Sequence, residues 1–138
     1  MGNRAVITTS TTASSNELGI YLHWNGGRDS VEAFLEYRRR GFASPEQDCY
    51  GWARLCQVIG NFFGGELSIG IDRCGRLDCD NQDNGVYVIK DWKIVGRKYF
   101  NGREQDTYDL EDMIREIDRR QPEKDRLYKD EDKEVTDQ

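Results

Sequence analysis

The segment from Ser44 to Gly65 constrains this chain most. Ser44-Pro45-Glu46-Gln47 has the order of a helix start: a hydroxyl cap, proline in the first helical position, and glutamine three residues after the cap. Gly64-Gly65 marks the stop. Between them Cys49, Trp52, Ala53, Cys56, Ile59, Gly60 and Phe63 recur at helical spacing, and Tyr50, Leu55, Val58 and Phe62 form a second apolar set off that face. A helix apolar on most sides is usually buried on most sides. A chain of 138 residues has length for one domain. Two arrangements follow: this helix is central to a monomer, or a second subunit covers part of it.

The other elements read around it. Arg4 to Thr9 is β-branched and short, and Gly19 to Trp24 alternates; both predict strands. A first helix is predicted after Asn25-Gly26-Gly27, with Asp29 as its cap and Glu32 in capping-box spacing. Val31, Phe34 and Leu35 give its apolar face, Arg38-Arg39-Arg40 complement the dipole in its last turn, and Gly41 suits its end. Glu66 to Ile71 predicts a strand, and Asp72 to Asn84 a polar loop. Val86–Ile89 and Lys93–Val95 form a hairpin, and Tyr99 to Gln105 is a turn region. A third helix runs from about residue 107 or 108 to Arg120, striped by Leu110, Met113, Ile114 and Ile117, with Pro122 just beyond. The expected architecture is α+β: a mainly antiparallel sheet of about five strands with three helices packed on it.

Charge narrows the function classes. The net charge is −6, and residues 121–138 hold four bases and seven acids, hence −3 of it. Residues 1–120 are expected to form a single ligand-binding domain, and 121–138 a charged, disordered tail. An acidic chain argues against a general binder of nucleic-acid duplexes, which needs a basic face. It leaves room for a small anion held by a few local donors. No stretch approaches the roughly 20 apolar residues of a membrane span, and no basic-then-apolar signal opens the chain. A soluble, cytoplasmic protein is expected.

Cys49, Cys56, Cys74 and Cys79 lack the close pairing of a zinc site, and the one histidine, His23, lies far off. Buried free thiols are the favoured reading, and neither a metal nor a cofactor is expected. A single histidine, read as structural within a strand, also argues against hydroxyl or thiol nucleophiles that need a histidine base.

Three segments carry possible chemistry. In Asn25-Gly26-Gly27-Arg28-Asp29-Ser30 two glycines admit a close approach, a helix N-terminus follows, and Arg28 offers a planar donor for phosphate. An ordinary strand–helix turn fits as well. Neither the Gly-Lys-Ser/Thr of a P-loop nor the three glycines of a dinucleotide fingerprint is there. Asp78 to Gly85 offers carboxylates and amides, among them Asn81 and Asp83, suited to ribose hydroxyls. It resembles a calcium loop superficially but has Asp83 and Ile89 where the loop glycine and glutamate belong. A solvated hairpin loop closed by Asn84-Gly85 is the plainer account. Gly96-Arg97-Lys98-Tyr99-Phe100 sets bases beside aromatics, as stacking and phosphate pairing require, or as any strand end with core aromatics would.

Asn3 to Thr9, Ile20 to Ser30, Tyr50-Gly51-Trp52-Ala53-Arg54-Leu55, Asp83-Asn84-Gly85-Val86-Tyr87 and Trp92 to Arg97 together resemble a small phage and prophage family, the first-described class of Thoeris anti-defence proteins. The resemblance spans roughly residues 3–120. It implies a sponge acting in the cytoplasm of the infected bacterial host. Such a protein binds cyclic ADP-ribose isomers made by TIR-domain proteins without cleaving them, and some members hold cyclic oligonucleotides at a separate site. It also implies a homo-oligomer, dimer-based and extending in some members to a hexamer, with pockets at subunit interfaces. Arg28 carries over from the Asn-Gly-Gly-Arg motif. Asn81, Asp83 and Arg97 follow by residue type, and the base-stacking aromatic is one of Phe62, Phe63, Tyr87, Tyr99 or Phe100.

The residues themselves are compatible with capture rather than catalysis, since two arginines and a helix N-terminus can balance a diphosphate. Two other classes stay open. One is a protein-binding inhibitor of a bacterial defence complex, anti-CRISPR-like, with an acidic surface. The other is an enzyme such as a nucleotide hydrolase.

Overall fold

The computed structural model describes residues 2–9, 16–39, 41–65 and 67–128. Residues 10–15, Arg40, Glu66 and 129–138, on which parts of the predicted loop, arginine run, strand and tail fall, lie outside the described residues. The order of elements is β1 (Ala5–Thr8), β2 (Leu18–Leu22), α1 (Arg28–Arg38), α2 (Cys49–Phe63), β3 (Ile69–Arg73), β4 (Val86–Lys90), β5 (Lys93–Lys98) and α3 (Leu110–Arg119).

The period-2 side-chain alternation of strands explains the layering. Ala5 and Ile7 of β1, Ile20 and Leu22 of β2, and Tyr87 and Ile89 of β4 face the helices and form the main core. Val6, Val86 and Val88 face the other way, where Cys74 and Leu77 of the β3–β4 connection cover them. The sheet order is β3-β2-β1-β4-β5, and β1 is its buried middle strand. Three of the four pairings are antiparallel; β1 and β4 run parallel, with Val6 opposite Val86. The fold is α+β with a mostly antiparallel sheet, as expected. Because β3 and β4 lie at different places in that order, the Asp78–Gly85 loop is a crossover and not the hairpin loop of the plainer account.

The hairpin that does form is β4–β5. Its turn residues, Asp91 and Trp92, both have positive φ (57° and 61°) without glycine. Tertiary bonds hold them there. The Asp91 N–H donates to Glu46 Oε2 at 2.9 Å, the Trp92 N–H to Ser44 Oγ at 3.1 Å, and the Trp92 indole to the Phe42 carbonyl at 2.9 Å.

Those bonds explain a departure from the sequence reading. The Ser44 hydroxyl is taken by the β4–β5 turn, so Ser44-Pro45 does not start α2. The helix begins at Cys49, with Asp48 as its cap accepting from the Tyr50 N–H. It ends as predicted, at Gly64 in the left-handed conformation.

The burial of α2 also differs from expectation. Leu55, Val58, Ile59 and Phe62 are buried, whereas Trp52, Cys56 and Phe63 are half-covered and Tyr50 is 66% exposed. The set read as lying off the apolar face supplies most of the true core contact. The central helix is α1, which buries Val31, Ala33, Phe34, Leu35 and Tyr37 between the sheet, α2 and α3. Phe34 meets Phe62 edge-on, with centroids 5.4 Å apart. Buried free thiols hold only for Cys74; Cys56 and Cys79 are half-covered and Cys49 is exposed.

Residues 121–128, assigned above to the tail, pack on the core. Gln121 is buried and donates to the Val58 and Ile117 carbonyls at 3.1 and 3.2 Å. The buried Asp118 carboxylate accepts from the Tyr37 hydroxyl at 2.5 Å and from the N–H groups of Leu127 and Tyr128 at 2.7 and 3.1 Å. Burial and that carboxylate push the Tyr37 pKa well up. These bonds satisfy an otherwise costly buried charge and fasten the chain after α3 to α1. Among the described residues, no helix is long and apolar enough to cross a membrane.

Candidate anion-binding cleft

The backbone turns sharply where β2 gives way to α1, and the residue that turns it is Asn25, at φ 57°. Gly26 serves a different need. Its N–H bonds the Asn3 carbonyl at 2.8 Å, and a Cβ there would stand 2.4 Å from that oxygen. Only glycine lets the loop lie this close to the chain entering β1. The Gly26 carbonyl accepts from the buried Tyr87 hydroxyl at 2.8 Å, which ties the loop to β4. The glycines thus secure packing between protein segments.

Gly27 is the cap residue of α1, and Arg28 and Asp29 open the helix. This corrects the assignment of Asp29 as cap. The Asp29 side chain accepts from the Ser30 N–H at 2.8 Å, inside the first turn. Glu32 does not complete a capping box either; it accepts from the Tyr108 hydroxyl and lies 3.8 Å from Arg28. The Asp29 N–H donates to Gln105 Oε1 at 3.0 Å. Two N–H groups of the helix start therefore already have acceptors from the protein.

Gln105 belongs to the irregular segment 99–109, which leaves β5 and crosses the start of α1 as a strap. Glu104 is its key residue. One carboxylate oxygen accepts from Arg28 Nη1 at 2.8 Å, and the other pairs with Arg97 Nη1. Arg97 is held on every side. Its guanidinium carbon lies 3.8 Å from the Tyr87 ring centroid and 4.0 Å from that of Phe100, so the group is stacked between two rings. It also donates to the Asn84 carbonyl at 2.6 Å and the Val86 carbonyl at 3.3 Å. Burial opposes the charge of Arg28, but Glu104 and Glu32 outweigh it and raise the pKa. Burial and the bond to Glu32 push Tyr108 up to about 12.

Arg28, Asp29, Tyr87, Phe100, Glu104 and Gln105 line an open cleft of about 240 Å³ whose walls also include Asn3, Gly27, Asn84 and Arg103. Arg97 is not in that wall but contacts Glu104, Tyr87 and Phe100, which are. Two arginines therefore converge on one carboxylate beside two aromatic rings and a helix start. A planar, bidentate donor set of this kind recognises phosphate as readily as carboxylate.

The structure brings Gly27 and Arg28 to this cleft, with Arg97 paired to its Glu104 from outside the wall, Gly26 behind it and Asn25 hydrogen-bonded to Ser30 at 3.1 Å. Asn81 and Asp83 are placed elsewhere. Asn81 is buried and organises its own loop, donating to the Asp78 and Gly85 carbonyls and accepting from the Asp83 and Gly85 N–H groups. Asp83 pairs with Arg4 at 2.7 Å, and that bond lowers its pKa. Of the candidate aromatics, Tyr87 and Phe100 meet the cleft, Phe62 is in the core, and Tyr99 lines a second cleft. That second cleft is larger, about 530 Å³, but it is edged by Asp78 and Asp80, which repel an anion.

Sequence reasoning missed Glu104, Gln105, Arg103 and Tyr108. The strap has no periodic pattern, and its partners on α1 lie 76 residues away. His23 is hydrogen-bonded to Tyr21 at 2.9 Å and does not line the cleft. Among the described residues no cluster of three or more histidine, cysteine or carboxylate side chains could hold a metal ion. A scan against protein-family models found no match to the chain, and neither did searches of curated proteins and of solved structures.

Proposed function

We propose that the chain is a non-catalytic sponge that captures a cyclic ADP-ribose isomer at the Arg28–Arg97 cleft and so withholds it from TIR-derived immune signalling. One observation carries the reading: Arg28 and Arg97 share the Glu104 carboxylate. Glu104 occupies the position an oxyanion of the ligand's diphosphate takes when the strap shifts. Phe100, on the same strap, is the aromatic free to move onto the base, because Tyr87 is locked to Gly26.

The chemistry of the cleft suits holding rather than turnover. Its cations are arginines, which do not deprotonate near neutral pH, and its central carboxylate is committed to them. At about 240 Å³ the cleft is smaller than the roughly 300–1,000 Å³ of pockets that enclose a ligand. Full burial of a diphosphate ligand therefore needs an opened strap or a second copy closing the site. The half-covered flank of α2 is in keeping with an oligomer. Equilibrium dialysis of the full chain against a cyclic ADP-ribose isomer tests the reading. Saturable retention that is lost in Arg28→Ala is expected; no retention contradicts it.

The competing reading, a protein-binding inhibitor of a defence complex, draws on the net charge of −6 and on Asp78 and Asp80 at the second cleft. Because residues 121–128 pack on the core, its tail version is tested by removing residues 129–138 only. Retained anti-defence activity removes it.

A further inference from the structure

Three arginines serve the cleft, and the protein holds them differently. Arg97 stands outside the wall, stacked between Tyr87 and Phe100 and bonded to two carbonyls. Arg28 lines the wall and is shared between Glu104 and Glu32. Arg103 lines the same wall from the strap, is exposed, and has no ion pair or hydrogen bond among the described residues. The shape of the strap brings it there. A Cβ on Gly102 would stand 3.1 and 3.2 Å from atoms of the Phe100 ring, so glycine lets the chain run close over that ring, and Arg103 follows into the cleft that Phe100 lines.

The acceptors around Arg103 are already committed. Glu104 is taken by Arg28 and Arg97, Asp29 by the Ser30 N–H, Gln105 Oε1 by the Asp29 N–H, and Glu32 by Tyr108 and Arg28. Arg28, Arg97 and Arg103 stand against Asp29, Glu32 and Glu104, so the cleft carries no net charge while the strap is seated. A phosphate that takes the place of Glu104 changes this. Asp29 and Glu32 then balance Arg28 and Arg97, and Arg103 is the cation that leaves the cleft net positive. Consecutive Cα atoms are about 3.8 Å apart, so Arg103 stays beside the place that Glu104 vacates.

We infer that Arg103 is the specificity-determining residue of the cleft and selects a diphosphate over a monophosphate. The inference rests on the capture proposed above. One phosphate in place of Glu104 satisfies Arg28 and Arg97, whose forks already hold two oxygens of a single carboxylate. A second phosphate bridged to the first finds Arg103 as the remaining cation without a carboxylate. A monophosphate makes no use of it. Binding a ligand at Arg103 breaks no bond within the protein, so its contribution falls wholly on the ligand that reaches it.

The test is equilibrium dialysis of the full chain against ADP-ribose and against AMP, which carries the same nucleoside on one phosphate with a similar total charge near neutral pH. The wild type is expected to hold ADP-ribose about tenfold more tightly than AMP, the worth of one charge-assisted contact. Arg103→Gln should lose that preference, keep its affinity for AMP and keep its thermal midpoint. Arg103→Lys, which retains the charge without the fork, should keep part of the preference. A preference that survives intact in Arg103→Gln, or that the wild type lacks, overturns the role of Arg103; AMP retention that depends on Arg28 leaves the cleft itself standing in either case. Retention of neither nucleotide overturns the capture reading and this inference with it.

Discussion

Glu104 accepts a hydrogen bond from Arg28 at 2.8 Å across 76 residues of sequence and so anchors the strap to the start of α1. Its other oxygen reaches Arg97. An acid between two arginines keeps them oriented, and it competes with any anion that would use them. Glu104→Gln keeps the shape and removes the charge. It should tighten capture of a diphosphate ligand about tenfold, equivalent to ~1.4 kcal/mol. Isothermal titration measures this, and weaker binding would show that Glu104 supports the ligand instead of standing in for it.

Arg28 and Arg97 should respond differently to truncation. Arg28 reaches the cleft from a helix surface, and the fold can lose it. Arg28→Ala is expected to weaken ligand binding by a factor of 10 or more while leaving the thermal midpoint nearly unchanged. Arg97 is stacked between Tyr87 and Phe100 and bonded to two carbonyls. Arg97→Ala should therefore weaken binding and also destabilise the fold by about 2 kcal/mol. Equal effects of the two on stability would argue against the stacked role of Arg97.

The two glycines of the Asn-Gly-Gly-Arg motif separate folding from binding. A Cβ on Gly26 meets the Asn3 carbonyl at 2.4 Å and the Ala5 side chain at 2.8 Å, both fixed. Gly26→Ala should cost about 1–3 kcal/mol. A Cβ on Gly27 meets side-chain atoms, the oxygens of Asp29 and Gln105 each at 3.0 Å and Asn3 Nδ2 at 3.7 Å. Gly27→Ala should fold normally but loosen Gln105 from the Asp29 N–H. Urea denaturation distinguishes the pair, and comparable losses would contradict the assignment.

Acid should act through the Arg4–Asp83 pair. The Arg4 side chain and N–H both bond Asp83, and these lower its pKa. A carboxylate with a depressed folded-state pKa contributes stability that is present above its unfolded value, about 3.9, and lost as pH falls through the folded one. Asp83→Asn should therefore lower the thermal midpoint at neutral pH, and the gap to wild type should close as pH drops below about 4. A gap unchanged down to pH 2 would show that the charge of Asp83 is not what matters.

How much of this was legible in the sequence depends on range. The Val86–Ile89 strand, the β4–β5 hairpin, the Leu110–Met113–Ile114–Ile117 stripe and the Gly64 stop are local patterns, and local physics produces them. Ser44-Pro45 misled because its hydroxyl serves Trp92, 48 residues away, in a contact that no spacing rule encodes. Arg28 and Arg97 stood out by residue type and context. Their shared partner did not, because a glutamate in an aperiodic strap looks like any solvated acid until the chain folds it back. Asn81 shows the converse. Its side chain is suited to ribose, yet the loop that carries it uses both ends of the amide.

The central claim is capture without cleavage, and mass spectrometry of heat-released material tests it directly. The full chain is exposed to TIR-domain product, washed, denatured by heat, and the released small molecule is weighed. A cyclic ADP-ribose isomer of unchanged mass, in saturable amount and absent from Arg28→Ala, is the predicted result. A hydrolysed or linearised product, or no released nucleotide at all, would contradict it.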